Sequence, residues 1–208
     1  MNLAKKLDAL TAPGILYKKL DNKVLRCFAC GHRCLIREGK RGICQVRFNE
    51  NGELRVPSEY IAALQLDPVE KKPLYHFFSG ENALSFGMLG CDLHCDYCQN
   101  WFTSQAMRDP DSDSAGRLVR EISAKEIITI AKENDAKIIA STYNEPLITT
   151  EWGVEIFKEA KKSGFKTAFI SNGHATAETL EYLHPYLDAY KIDLKSMQEK
   201  NYRELGGV

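Results

Sequence analysis

The sequence predicts an α/β protein, because apolar runs alternate with amphipathic helical stretches from residue 81 onward. Four apolar runs predict buried strands: 83–89, 137–143, 166–171 and 188–195. Helical patterns lie between the later runs: from the Ser123–Glu126 capping box onward, 151–163, and 176 to about 187. Strands joined by helices of this length predict βαβ units and a parallel sheet.

The stretch before residue 81 predicts smaller elements. Leu3, Leu7 and Leu10 predict a short amphipathic helix within residues 1–22. An Asn51-Gly52 pair predicts a hairpin between 45 and 56, followed by a strand over 60–66 and an ordered loop over 67–80. We therefore expect an N-terminal cysteine-rich extension over 1–80 and a core domain over 81–208. The polar stretch 105–120 predicts a mobile loop.

Composition narrows the class of protein. The 208 residues carry 28 basic and 28 acidic side chains, interspersed, so no nucleic-acid or acidic-membrane partner is expected. No stretch approaches the roughly 20 apolar residues that span a bilayer, and the first residues lack the apolar centre of a signal peptide. A cytoplasmic location is therefore expected. There thiols stay reduced, so the seven cysteines predict metal ligation and not disulfides.

The first cysteine group lies in the extension, among glycines and basic residues that would offset thiolate charge. Its members are Cys27, Cys30, Cys34 and Cys44. Four soft ligands on short loops are typical of a structural zinc site or a closed iron–sulfur cluster. Four unliganded buried cysteines are the alternative.

The second group, Cys91, Cys95 and Cys98, has the spacing C-x3-C-x2-C directly after the 83–89 strand. A 4Fe–4S cluster normally takes four thiolates, so three leave one iron open to a small molecule. Polar residues also lie at the carboxyl ends of the other three strands: Asn144 and Glu145, then Ser171, Asn172, Gly173 and His174, then Asp193 and Lys195. Because parallel strands end at one edge of a sheet, these groups should converge on a single ligand site.

Cys91, Cys95, Tyr97 and Cys98 resemble the cluster motif of the radical S-adenosylmethionine enzymes. This resemblance implies a partial (β/α) barrel, a 4Fe–4S cluster and bound S-adenosylmethionine. It also implies reductive cleavage to a 5′-deoxyadenosyl radical, which abstracts hydrogen from a substrate. A low-potential electron donor and an unknown substrate, a protein being one option, would be the partners.

Further motifs imply how S-adenosylmethionine is held. Asn144-Glu145-Pro146 stands where the superfamily often has a glycine-rich turn ending in Glu-Pro, with Tyr143 and Asn144 replacing the two glycines. Asp193 and Lys195 resemble the Asp-x-Lys of the pyruvate formate-lyase activating enzymes, and Ser171-Asn172-Gly173 resembles their Thr-Asn-Gly. Ile170 replaces an Asp that helps to hold a monovalent cation in some members, so no such cation is expected.

The extension refines the resemblance to a subgroup. The stretch 27–47, the run 67–76 and Cys98-Gln-Asn-Trp101 look like the radical enzymes of the AmmeMemoRadiSam system, relatives of the glycyl-radical activases. Such enzymes have six barrel units, whereas four strands are predicted here. We therefore expect a truncated barrel with an exposed sheet edge that aggregates or needs a partner, and its activity is open.

Two other classes fit parts of the sequence. A two-centre iron–sulfur electron-transfer protein would need four cysteines for each cluster, and the second group has three. A zinc-stabilised binding module would hold zinc alone.

Overall fold

The computed structural model describes residues 3–208, except for the side chains of Ser112 and Asp113. The strands are β1 Thr11–Pro13, β2 Tyr17–Lys19, β3 Leu25–Cys27, β4 Leu35–Ile36, β5 Phe48–Glu50, β6 Glu53–Pro57, β7 Tyr60–Ile61, β8 Ala63–Pro68, β9 Asn82–Gly87, β10 Arg120–Glu121, β11 Ile138–Ser141, β12 Lys166–Ser171 and β13 Ala189–Ile192. The helices are α1 Leu3–Ala9, α2 Trp101–Ser104, α3 Ala124–Glu133, α4 Thr150–Lys162, α5 Ala177–Leu183 and α6 Glu199–Glu204.

A five-stranded sheet with the order β13-β12-β11-β9-β8 organises the core. Strands β9, β11, β12 and β13 are parallel, and β8 adds to β9 in the antiparallel direction. Helices α3, α4 and α5 each lie between successive parallel strands in the chain. The predicted α/β fold is therefore confirmed. The boundary at residue 80 stays a prediction, although β8, from its N-terminal side, belongs to this sheet.

Helices cover one face of the sheet. Their apolar residues recur with a 3.6-residue period and therefore form a stripe that packs against it. Ile127 and Ala131 of α3 and Phe157 of α4 are fully buried there. Phe157 packs edge-on between Phe86 and Phe169, with ring centroids 6.4 and 5.5 Å apart. The other face carries small residues and is covered by Val69, Leu74 and Phe77 from the loop that follows β8.

The predicted local elements of the N-terminal stretch are present. Helix α1 buries Leu3 and Leu7, and β5 and β6 form the hairpin that turns at Asn51-Gly52. The capping box of α3 forms through the Ser123 and Glu126 side chains. The stretch 105–120, predicted to be a mobile loop, contains a 3-10 helix over Pro110–Arg117, whose first turn is capped by the Asp109 side chain. Its mobility stays a prediction. Ser112 and Asp113 side chains of that stretch lie outside the described residues.

The small sheets of the extension attach to the core through a buried ion pair. Arg47 Nη1 and Nη2 donate to Glu151 of α4 at 2.6 and 2.7 Å, and Arg47 is only 1% exposed. The backbone N–H groups of Ile15 and Leu16 also donate to Glu151. This carboxylate is therefore fully engaged by the extension, and the two parts of the chain pack as one body.

Candidate functional site

One cavity lies at the carboxyl ends of the parallel strands. Its lining includes most of the residues that the strand-end motifs single out: Cys91, Cys95, Tyr97, Cys98, Asn144, Glu145, Ser171, Asn172, Asp193 and Lys195. Gly173 and His174, which the sequence also placed at a strand end, are not part of that lining. The sequence therefore located the members of this site, because a parallel sheet brings its strand ends to one edge. The chemical role of each member stays a prediction.

The cysteine loop begins at Gly90, where a side chain would not fit. Gly90 has a φ of +94°, and a Cβ there would lie 2.9 Å from Val46 Cγ1 and 3.1 Å from the Cys44 carbonyl oxygen. The loop therefore presses directly against the cysteine-rich extension. Gln105 and Arg108 donate to the Leu93 carbonyl at 3.1 and 2.9 Å and hold the middle of the loop.

The three thiols of this loop are partly exposed to the cavity. Burial and the nearby carboxylates of Asp92 and Glu145 raise the pKa of the Cys91 thiol well above its usual value. Burial also raises the pKa of Cys95. The neutral forms of Cys91 and Cys95 are thus favoured in the absence of a cation, whereas a bound metal centre would stabilise their thiolates.

Glu145 is a buried carboxylate held by three donors. It accepts hydrogen bonds from the Leu147 N–H at 3.0 Å, the Ser171 hydroxyl at 2.7 Å and the Asn172 N–H at 2.7 Å. Burial raises its pKa to about 8, with the Asp92 charge adding to the effect and the hydrogen bonds opposing it. A cationic ligand in the cavity would restore the ionised form.

The two asparagines of the site are engaged within the protein. Asn144 accepts from the Met88 N–H at 2.9 Å and so ties its loop to the end of β9. Asn172 donates to Asp92 at 2.8 Å and accepts from the His174 N–H at 2.9 Å. Their amides therefore position the loops that line the cavity.

Asp193 and Lys195 form an ion pair at the rim, with Lys195 Nζ 3.0 Å from Asp193 Oδ2. Lys191 also pairs with Asp193. Asp193 and Lys195 lie after β13, because the strand ends at Ile192 and not at the predicted residue 195. Tyr97 is 62% exposed and donates to the Lys195 carbonyl at 3.3 Å, which connects the cysteine loop to this rim.

The four cysteines of the extension line a second, much smaller cavity together with Arg47. Three of them are buried, and burial raises the pKa of Cys44 to about 11. Among the described residues, no three of these four sulfurs lie within 4.8 Å of one another. A single tetrahedral zinc ion needs sulfurs about 3.8 Å apart, so the geometry does not support the predicted zinc option.

Sequence reasoning missed two residues beside the main cavity. Asp92, which is fully buried, accepts from Asn172 and contacts His174 Nδ1 at 3.0 Å. Buried Lys72 donates to Tyr143 at 3.2 Å and pairs with Asp67 at 3.1 Å.

Tyr143 has a φ of +72°, the left-handed conformation that glycine adopts easily. A glycine-like backbone is therefore kept where the glycine-rich turn is missing.

The geometry defines an α/β protein with a three-cysteine centre at the carboxyl edge of its sheet. The family model described as the Radical SAM superfamily matches residues 86–208, more than half of the chain. The chain belongs to the radical SAM superfamily, and all residues that line the main cavity fall within the matched range.

Two further comparisons found proteins that resemble this chain. An uncharacterized protein of Methanocaldococcus jannaschii is 36% identical over 182 residues, which cover 87% of this chain and 52% of that protein. The chain thus spans about half the length of this curated relative. The crystal structure of QueE from Escherichia coli aligns with a TM-score of 0.40 at 13% identity, over 67% of this chain and 61% of that one. No helix of the described residues is both long and apolar enough to cross a membrane.

Proposed function

We propose that this protein is a radical S-adenosylmethionine enzyme that abstracts hydrogen from a substrate. The observation that carries the proposal is the convergence of three thiols and the strand-end polar groups on one cavity. Three cysteines on one loop suit a 4Fe–4S cluster with an open iron. A buried carboxylate and an Asp–Lys pair suit the charged groups of S-adenosylmethionine.

Cys91, Cys95 and Cys98 would hold the cluster in this proposal. When bound and reduced, the cluster and S-adenosylmethionine supply a 5′-deoxyadenosyl radical. The side chains of the protein would bind and orient the cluster and S-adenosylmethionine. Glu145, fixed by its three donors, would accept the amino group of S-adenosylmethionine. Asp193 and Lys195, at the rim of the cavity, would contact groups of opposite charge on S-adenosylmethionine.

Several finer features belong to the same proposal. The motifs favour the AmmeMemoRadiSam and pyruvate formate-lyase activating enzyme subgroup, with a low-potential electron donor and an unidentified substrate. The parallel order β9-β11-β12-β13 is compatible with a partial barrel. A second iron–sulfur cluster at Cys27, Cys30, Cys34 and Cys44, the domain division at residue 80, the truncation and the cytoplasmic location stay predictions.

Anaerobic reconstitution tests the proposed function. The protein is loaded with iron and sulfide, reduced with dithionite and given S-adenosylmethionine. We expect bound iron and sulfide, an electron paramagnetic resonance signal that changes on addition of S-adenosylmethionine, and formation of 5′-deoxyadenosine.

Other outcomes identify the alternative classes. Iron and sulfide with a signal that S-adenosylmethionine leaves unchanged, and no 5′-deoxyadenosine, would indicate an electron-transfer protein. Bound zinc without iron would indicate a binding module. Either result would contradict the proposal.

A further inference from the structure

We propose that Cys30, Asp92 and His174 form a binding site for one divalent zinc-type cation, which uses none of the three cluster thiols and joins the extension to the core. One donor atom from each residue lies within 4.8 Å of the other two, the only such group of three among the described residues. The donors come from three separate segments of the chain, which only the tertiary structure brings together.

The three ligands are held by the surrounding structure. Asp92 is 0% exposed, and its Oδ1 is fixed by the Asn172 amide at 2.8 Å. Its Oδ2 lies 3.0 Å from His174 Nδ1, the contact that a shared metal ion would replace. The Gly31 N–H donates to the His174 carbonyl at 2.8 Å, which places the loop of Cys30 beside the histidine.

Gly31 is required for this close approach. A Cβ at this position would lie 2.2 Å from His174 Nε2 and 2.4 Å from its Cδ2. Only glycine therefore allows the Cys30 loop to lie flat against the imidazole ring. The ring of His32 also packs edge-on against that of His174, with centroids 4.9 Å apart, and its Nε2 lies 3.2 Å from the Asp92 carbonyl. The histidine is thus enclosed on two sides.

The local charge favours a cation. Asp92 lies near the buried residues Glu145 and Cys30. Its nearest partners are the Asn172 amide and the His174 imidazole. Burial, followed by the charge of Asp92, raises the pKa of the Cys30 thiol well above its usual value. A divalent ion would offset this buried negative charge and stabilise the thiolate at the same time.

The donor set selects the class of metal. One thiolate sulfur, one imidazole nitrogen and one carboxylate oxygen suit zinc or cobalt, whereas magnesium and calcium prefer oxygen alone. Three protein ligands leave the fourth tetrahedral position to water. Since Asp92 directly follows Cys91, the ion would fix the cysteine loop against the extension. Cys30 would then serve this mixed site and not a four-cysteine centre.

Cobalt binding tests the proposal in the full chain. Cys95→Ala and Cys98→Ala are introduced together, so that the cluster loop cannot bind the ion as a three-thiolate site. The chelated, reduced protein is titrated anaerobically with Co²⁺. We expect one equivalent to bind, with tetrahedral visible bands and a thiolate-to-cobalt charge-transfer band.

Matched variants in this background assign the ligands. Cys30→Ser and His174→Ala should weaken binding by more than the roughly 10–100-fold expected of a residue that only supports a ligand. The Cys34→Ser variant, whose change lies in the neighbouring cavity, should bind Co²⁺ with unchanged affinity. Should His174→Ala fail to fold by circular dichroism, His174→Asn replaces it, because its amide can keep the hydrogen bond to Asp92.

The contrary results are distinct. Absence of bound cobalt, binding that His174 variants leave unchanged, or binding lost in Cys34→Ser would each overturn the mixed site. Because the background lacks the cluster ligands, none of these results depends on the proposed radical chemistry.

Discussion

The two cysteine groups of this chain have similar spacing but opposite surroundings. Cys91, Cys95 and Cys98 are partly exposed and line a cavity at the end of the sheet. Cys27, Cys30 and Cys44 are buried and, with the partly exposed Cys34, line a smaller cavity beside an ion pair. A centre that reacts with a small molecule needs an open side, whereas a centre that supports the fold does not. Accessibility, more than spacing, therefore distinguishes the two groups.

The sharpest test of this comparison removes a thiol from the open group. Cys95→Ala should abolish 5′-deoxyadenosine formation, because the cluster would lose one of its three ligands. Cys34→Ala, the matched change in the cysteine group of the extension, should retain the cluster signal of the loop. The measurement is 5′-deoxyadenosine per reduced protein together with the paramagnetic resonance spectrum. An equal loss of 5′-deoxyadenosine formation in the two variants would contradict the expectation that only the open group holds the reactive cluster.

A large stability effect is expected at the cysteine group of the extension. Arg47→Met should lower the free energy of unfolding by about 3–5 kcal/mol, because Glu151 would remain buried without its partner. Urea denaturation of the ligand-free protein measures this effect. The double variant Arg47→Met with Glu151→Leu is the control and should recover part of the loss. A double variant no more stable than the single one would show that the ion pair is not the cause.

A pH effect is expected at the open group. Since the pKa of Glu145 is raised from 4.5 to about 8 in the folded protein, the folded state holds a proton that the unfolded chain has lost. Its contribution to stability is therefore lost as the pH rises from about 4.5 to 8, at up to ~1.4 kcal/mol per pH unit.

Unfolding of the ligand-free protein across this range measures the slope, and Glu145→Gln should reduce it. An unchanged slope in the variant would assign the pH dependence to another group.

The smallest effect is expected at the surface contact between the two regions. Arg33 of the extension forms a two-bond ion pair with Glu178 of α5 at 2.8 and 2.6 Å. Both side chains are 39% exposed, so Arg33→Ala should cost less than about 1 kcal/mol. Thermal unfolding at low and high salt measures this cost. A loss as large as that of Arg47→Met would show that exposure is a poor guide to this interface.

Much of the core could be predicted from the sequence. The alternation of apolar runs and helical stripes located four parallel strands and three helices, and most of the predicted strand-end residues line the same cavity. These features are local, because strand and helix periods are properties of a short stretch. The ends of elements were less certain, as with β13, whose last paired residue depends on its neighbour β12.

The extension was harder to predict, because its stability depends on contacts that are distant in sequence. Its cysteine spacing predicted one four-ligand centre, whereas the structure brings Cys30 next to Asp92 and His174. The 3-10 helix over Pro110–Arg117 was hidden by a polar composition that is also typical of loops.

By itself, the sequence determined the alternating fold and the three-thiol loop, since both follow from local pattern and from the chemistry of cysteine. The tertiary structure alone decided which groups meet. Arg47 and Glu151 are 104 positions apart, and Asp92 and His174 are 82 apart. Burial of a charge is favourable only where a partner is already in place, and that depends on how the extension packs against the sheet.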